Sequence, residues 1–195
     1  NLFFEPSTRT RVSFELAATR LGADVVNLDL HSSSRVKGET VLDTIYTLQA
    51  MMVDVFVMRD SEPGLPAFVA AHVQPHVSVL NAGEAHVSHP TQGLLDVLTI
   101  RQRKGDLQNL CVAIVGDISH SRVARSTATA LQTLGVGELR FVSPASLAPE
   151  ADEFQGAKRC TSLEDGIRSA DVIMALRIQK ERMDQSQIPD VDAFL

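Results

Sequence analysis

The 195-residue chain lacks the features that mark several large classes of protein. No apolar run approaches the roughly 20 residues that a membrane-spanning helix needs, and no signal peptide is visible. The net charge is −6 and there is no basic tail, which argues against nucleic acid as a partner. The two cysteines, Cys111 and Cys160, lie far apart, so they predict reduced thiols in a cytoplasmic protein rather than a disulfide framework.

Several signatures of catalytic chemistry are absent as well. The chain has no G-x-G-x-x-G fingerprint for a nucleotide, and no Ser-His-Asp order or Cys-His pair stands out as a covalent nucleophile. His86 and His89 are three residues apart, but no third metal ligand accompanies them. We therefore expect no metal ion and no cofactor.

What is present predicts an α/β fold. Hydrophobic residues make up 44% of the chain, enough to bury a core. Short apolar runs alternate with helical patterns, and this alternation predicts parallel sheets with helices on both faces. The predicted strands cover residues 2–4, 25–30, 53–58, 77–80, 110–115, 138–142 and 172–176, and the predicted helices cover residues 9–21, 39–52, 66–73, 90–103, 121–134 and 163–169.

A polar run at residues 101–106 marks a domain boundary, because a buried strand begins soon after it. We predict two domains, residues 1–104 and 105–195, with helix 90–103 as the connection. Since the chain begins at Asn1 without a Met, we also expect it to be an internal piece of a longer protein.

The segment Ser7-Thr8-Arg9-Thr10 carries the strongest functional signal. It follows an apolar strand, and Pro6 and Ser7 are start signals for a helix. A helix N-terminus offers N–H groups without intrahelical partners and the positive end of the helix dipole. Hydroxyls and a guanidinium add further donors there, so the segment predicts a site for a dianion such as phosphate.

Other predicted strands also end in polar or basic residues. In open α/β sheets, ligands bind beyond the carboxyl ends of the strands. The pattern therefore predicts a polyanionic small ligand held between two domains. The residues in such positions include Ser33, Lys37, Arg59, His89, Gln92, Arg122, Arg177 and Gln179.

Each of these residues alone has a simpler explanation. A lone Ser7 is typical of a helix N-cap, and a lone Lys37 is typical of a solvated loop. Arg59, Arg122 and Arg177 are each also explained as surface ion-pair partners. These separate explanations do not account for the shared position of the residues at strand ends.

Four segments resemble the aspartate and ornithine carbamoyltransferases, in the same order along the whole chain. Residues 3–11, Phe-Phe-Glu-Pro-Ser-Thr-Arg-Thr-Arg, resemble the carbamoyl-phosphate motif of that superfamily, and residues 89–92, His-Pro-Thr-Gln, resemble its second shared motif. Residues 37–40, Lys-Gly-Glu-Thr, and 177–182, Arg-Ile-Gln-Lys-Glu-Arg, resemble the aspartate branch. The resemblance implies transfer of the carbamoyl group of carbamoyl phosphate to the α-amine of L-aspartate, in de novo pyrimidine biosynthesis.

The resemblance also implies a role for each site residue. Arg9, Thr10, Arg59 and His89 are the implied catalytic residues, which polarise the carbonyl and stabilise the oxyanion. The implied assembly is a homotrimer, with which regulatory or dihydroorotase-like subunits can associate. The implied carbamoyl-phosphate ligands are Ser7, Thr8, Arg9, Thr10, Arg59, His89 and Gln92; the implied aspartate ligands are Lys37, Arg122, Arg177 and Gln179; and Ser33 and Lys37 are implied to come from a neighbouring subunit.

By the same resemblance, residues 1–104 form a carbamoyl-phosphate-binding domain without its N-terminal part, and residues 105–195 form an aspartate-binding domain without its C-terminal part. Two alternatives stay open. An ornithine carbamoyltransferase shares both phosphate motifs, although Arg177 with Gln179 favours a second carboxylate over a second amine. A non-catalytic member of the family has no need of the full set of site residues.

Overall fold

The structure, a computed structural model, describes residues 1–28, 39–150 and 153–178. The chain forms two compact units, Asn1–His89 and Pro90–Leu195. Each unit contains one parallel β-sheet flanked by helices, which confirms the predicted α/β class. Among the residues that the structure describes, no helix combines the length and the apolar character that crossing a membrane requires.

The first unit has a three-stranded sheet in the order β1-β2-β3. Alternate residues of β2 point to opposite faces of the sheet. Phe56 and Met58 pack with Ile45 and Val69 on one face, and Val57 packs on the other face. The elements are β1 (Leu2–Phe3), α1 (Thr8–Arg20), α2 (Val41–Ala50), β2 (Val55–Asp60), α3 (Leu65–Ala70) and β3 (Ser78–Glu84).

The second unit has a four-stranded sheet in the order β6-β5-β4-β7. Its central strand β4 is completely buried at Val112, Ala113 and Ile114, each 0% exposed. The elements are α4 (Pro90–Lys104), β4 (Cys111–Val115), α5 (Arg122–Thr133), β5 (Glu138–Val142), β6 (Lys158–Cys160), α6 (Leu163–Ile167) and β7 (Val172–Ala175), with short 3₁₀ turns at Leu107–Asn109 and Ala145–Leu147.

The units divide before α4, whereas the sequence predicted a division after that helix, at residues 104 and 105. The reason is packing. Val97 and Ile100 of α4 belong to the same buried cluster as Ala124 and Ala128 of α5. Helix α4 therefore follows the first unit in sequence but shares the core of the second.

Two predicted details differ from the structure. Residues 25–30 were predicted as a strand, but among described residues only Leu28 forms an isolated parallel bridge, to Leu2, and residues 29 and 30 lie outside the described part. Strand β6, Lys-Arg-Cys, was not predicted, because three residues with two charges lack the apolar pattern of a buried strand.

Candidate active site

The hydroxyls at the start of α1 bond to each other rather than to the helix. Ser7 occupies the N-cap position with an extended backbone (φ −160°, ψ 93°), but its side chain makes no capping hydrogen bond. Its Oγ instead donates to Oγ1 of Thr10 at 2.9 Å. Ser7 therefore holds the N-cap position of α1, but its side chain does not cap the helix. Thr8 and Arg9 beside it are exposed.

Arg59 lies at the carboxyl end of β2, next to the start of α1. It is paired in register with Phe3 of β1, and the Phe4 N–H donates to its carbonyl at 2.8 Å. Its guanidinium donates through Nη2 to Oε1 of Glu5 at 2.6 Å and through Nη1 to the Ala82 carbonyl at 3.2 Å. The residue is only 8% exposed, so this ion pair is not at the surface. A buried guanidinium needs such partners, because desolvating an unpaired charge is costly.

The sequence analysis did not predict the ion pair between Glu5 and Arg59. The available signal was its place inside the 3–11 motif, where it is the sole acid among Ser, Thr and Arg. The pairing itself joins residues 54 positions apart and follows from the parallel alignment of β1 with β2.

A network around Glu84 holds the loop that leads from β3 to His89. Its Oε1 accepts from the Ser88 hydroxyl at 2.7 Å and from Nδ2 of Asn81 at 2.9 Å, and its Oε2 accepts from the Gly64 N–H at 2.8 Å. His89, 8% exposed, follows directly at the end of the unit. The structure thus gathers Ser7–Thr10, Arg59 and the loop before His89 at the carboxyl ends of three neighbouring strands.

This edge of the first sheet suits an anionic ligand. The first N–H groups of α1, the hydroxyls of its first turn and the guanidiniums of Arg9 and Arg59 supply donors and positive charge. Donors held rigidly by a sheet and a helix stabilise developing negative charge without having to reorganise during the reaction.

Gln92 lies in the first turn of α4, in the second unit. Its Nε2 donates to Oδ1 of Asp96 at 2.9 Å, one helical turn further on. Oδ2 of Asp96 accepts from Oγ1 of Thr127 on α5 at 2.7 Å. Gln92 and Asp96 are partly exposed, whereas Thr127 is 0% exposed.

The carboxyl end of β4 leads into α5 through a tightly bonded turn. Asp117, 0% exposed, accepts the His120 backbone N–H at 3.2 Å and lies 2.8 Å from Nδ1 of the same residue. Ser121 then caps α5 by accepting the Ala124 N–H at 3.2 Å. Arg122 follows as the first helical residue and is 7% exposed, so it too is not a surface ion-pair residue.

Arg125, in the first turn of α5, stabilises the same turn between β4 and α5. Its Nη2 donates to the Ser119 carbonyl at 2.9 Å, and its Nη1 pairs with Glu153. Burial lowers the pKa of the Arg125 guanidinium from its usual value.

Arg177 follows the neighbouring strand, β7. The Leu176 N–H donates to the Val115 carbonyl at 2.8 Å, so β7 ends beside β4. Arg177 is exposed. The segments that carry Arg122 and Arg177 therefore start from adjacent strand ends. Ser33, Lys37 and Gln179 lie outside the described residues, and their roles stay predictions.

The carbamoyl-phosphate-binding domain of the aspartate/ornithine carbamoyltransferases matches residues 1–102, just over half of the chain. The chain belongs to this family.

Solved structures of aspartate transcarbamoylases resemble the chain over both units. The Trypanosoma cruzi enzyme in complex with aspartate and phosphate is 33% identical, with a TM-score of 0.81 over 95% of this chain and 65% of that one. The same enzyme with N-(phosphonacetyl)-L-aspartic acid is 35% identical, with a TM-score of 0.81 over 94% of this chain and 60% of that one. The catalytic subunit from M. Jannaschii is 37% identical, with a TM-score of 0.83 over 95% of this chain and 63% of that one. The chain thus spans about two thirds or less of the length of these relatives.

Proposed function

We propose that this protein transfers the carbamoyl group of carbamoyl phosphate to the α-amine of L-aspartate, giving N-carbamoyl-L-aspartate and phosphate. The observation that carries the proposal is the position of buried Arg59 beside the Ser7–Thr10 helix start, at one edge of the first sheet. Crystal structures of related aspartate transcarbamoylases with carbamoyl phosphate and aspartate support it.

In this proposal the first unit activates carbamoyl phosphate. Ser7, Thr8, Arg9 and Thr10 bind the phosphate, and Arg59 bridges the phosphate and the carbonyl oxygen. Thr10, Arg59 and His89 polarise the carbonyl and stabilise the tetrahedral oxyanion. Gln92 binds the carbamoyl amide.

The chemistry needs no nucleophile from the protein. The α-amine of aspartate attacks the carbonyl carbon, the bond from that carbon to the phosphate oxygen breaks, and the amine proton passes to the departing phosphate. The protein contributes positioning and electrostatic stabilisation.

The second unit binds aspartate in this proposal. Arg122 and Arg177 pair with its two carboxylates, because a planar guanidinium matches a carboxylate in a bidentate pair. Gln179 supports Arg177. Ser33 and Lys37 enter from a neighbouring subunit of a homotrimer. The reaction belongs to de novo pyrimidine biosynthesis in the cytoplasm.

Product analysis with two amino acids tests the reaction. The full-length protein is incubated with carbamoyl phosphate and either L-aspartate or L-ornithine, and the ureido product is identified by mass spectrometry. We expect N-carbamoyl-L-aspartate, and inhibition by N-(phosphonacetyl)-L-aspartic acid. Citrulline as the product would establish the ornithine alternative, and no product from either amino acid would establish a non-catalytic member.

Mixing two inactive variants tests the shared site. Lys37→Ala and Arg59→Ala subunits of the full-length protein are mixed, dissociated and reassembled. If Lys37 acts on a neighbour's site, some sites in mixed trimers carry both native residues and activity returns. If Lys37 serves its own subunit, every site keeps one lesion and the mixture stays inactive.

A further inference from the structure

Gln92, Asp96 and Thr127 form a hydrogen-bonded relay within the second unit. The relay begins at buried Thr127 on α5, passes through the carboxylate of Asp96 on α4 and ends at the amide of Gln92. Both oxygens of the carboxylate take part, one with each neighbour.

The relay determines which end of the Gln92 amide faces outward. A carboxylate only accepts hydrogen bonds, whereas an amide has a donor end and an acceptor end. The NH2 group of Gln92 must therefore face Asp96, with 2.9 Å between Nε2 and Oδ1. Its carbonyl oxygen, Oε1, is then the end directed away from the carboxylate.

A close approach of α4 and α5 makes the relay possible. A Cβ added to Gly93 would lie 2.7 Å from the Ser126 carbonyl oxygen and 3.1 Å from the Thr127 nitrogen, too close for any side chain. Only glycine permits this spacing between the helix backbones. The short side chain of Thr127 thereby reaches Asp96 at 2.7 Å.

We propose that Asp96 and Thr127 are positioning residues that hold the Gln92 amide with Oε1 toward the ligand, so that the site selects a carbamoyl group by its NH2. The inference rests on the proposed function, because it takes from it the contact of Gln92 with the carbamoyl amide. A carbamoyl NH2 donates hydrogen bonds, and the methyl group of acetyl phosphate, of similar size, does not. An acceptor at this point therefore distinguishes the two acyl phosphates.

Asp96→Leu tests the orientation directly. Leucine has no hydrogen-bond acceptor, so nothing holds the NH2 group of Gln92 on that side, and the amide is free to turn this NH2 group toward the ligand. An NH2 group then meets the NH2 of the ligand. We expect the Kd of carbamoyl phosphate, measured by isothermal titration, to rise about tenfold, the scale of one lost hydrogen bond. The Kd of acetyl phosphate should change by less than about twofold.

A double variant and a conservative variant distinguish a change in the orientation of the Gln92 amide from a general loss of structure. In Gln92→Glu/Asp96→Asn, the carboxylate introduced at residue 92 accepts from the amide at residue 96 and again offers an oxygen to the ligand, so the preference for carbamoyl phosphate should return. Thr127→Val should weaken carbamoyl phosphate binding, and Thr127→Ser should restore it. Thr129→Val on the exposed side of α5 and Asp106→Asn are the matched controls, and melting temperatures report on folding.

Each outcome decides the inference. A selective loss of carbamoyl phosphate binding with rescue in the double variant supports it. Equal loss for both acyl phosphates, an unchanged Kd in Asp96→Leu, or a native protein that binds both ligands equally overturns it. Product analysis of the native protein is the separate test of the proposed function: if no carbamoyl-aspartate forms while the selective loss is seen, the positioning role stands and the proposed reaction fails.

Discussion

Helices α1 and α5 begin alike in sequence and differ in what their first residues do. Each follows a strand, has a serine with extended backbone at its N-cap and carries arginine in its first turn. Ser121 caps α5 by accepting the Ala124 N–H, whereas Ser7 makes no capping bond and donates to Thr10. Five residues of α5 are buried, and no residue of α1 is.

The difference distinguishes a helix start whose first residues stabilise the helix from one whose first residues are candidates for binding a ligand. At α5 the hydroxyl satisfies the helix backbone, and the helix is fixed by its buried face. At α1 the Ser7 hydroxyl bonds to the Thr10 hydroxyl instead, and it accepts no hydrogen bond from the first backbone N–H groups of the helix. In the proposed function this leaves α1 to bind phosphate, while α5 presents Arg122 to aspartate from a rigid element.

The largest expected effect is at the edge of the first sheet, beside the start of α1. In the proposed function, Arg59→Ala removes the guanidinium that neutralises the phosphate and polarises the carbonyl, so kcat should fall by about 10²–10³ or more, the scale of losing an oxyanion donor. Steady-state kinetics of the full-length protein measures it, with Arg20→Ala, at the exposed end of α1, as the control. Near-normal turnover in Arg59→Ala would contradict the assignment.

The next largest effect concerns Arg177, which follows β7 in the second unit. In the proposed function, Arg177→Ala removes one charged pair with aspartate, so the KM of aspartate should rise by roughly 10–100-fold while that of carbamoyl phosphate stays within about twofold. Arg168→Ala, which loses only exposed ion pairs with Glu164 and Asp165, is the control. An equal loss for both substrates would indicate a folding defect instead.

A matched pair of serine variants tests the comparison itself. Ser121→Ala should lower the free energy of unfolding by about 1 kcal/mol, because a capping bond is lost. Ser7→Ala should lower it by less than about 0.5 kcal/mol, because no cap is lost, yet weaken carbamoyl phosphate binding. Urea unfolding and ligand titration measure the two. Equal destabilisation by both variants would show that the helix starts do not differ.

The smallest effect concerns α2, the helix with a complete capping box. Thr40 donates through its hydroxyl and its backbone N–H to Asp43, and these bonds lower the pKa of the Asp43 carboxyl. A carboxyl whose pKa is lowered by folding stabilises the protein above its unfolded pKa, about 3.9, and that contribution is lost as pH falls through the folded pKa.

Asp43→Asn should therefore destabilise the protein slightly at neutral pH, and its difference from the native protein should shrink below about pH 4. Urea midpoints at the two pH values measure the change. A difference that grows on acidification would contradict the sign of the pKa change.

Much of the fold was predictable because it depends on local pattern. Apolar runs and the Pro6-Ser7 start signal predicted β1 and α1, and residues 138–142 were predicted with the bounds that β5 has. Short, charged β6 was missed, because its membership of the sheet depends on its neighbour β5 rather than on its own residues.

By itself the sequence determined the alternation of strands and helices, the family, and the presence of hydroxyls and arginines after the strands, since each follows from residue type and spacing. Only the tertiary structure decided that Glu5 holds Arg59, that Thr127 reaches Asp96, and that α4 shares the core of the second unit. These are contacts between residues far apart in the chain. They depend on strand register and on the closeness of two helix backbones at Gly93, distances that no local pattern encodes.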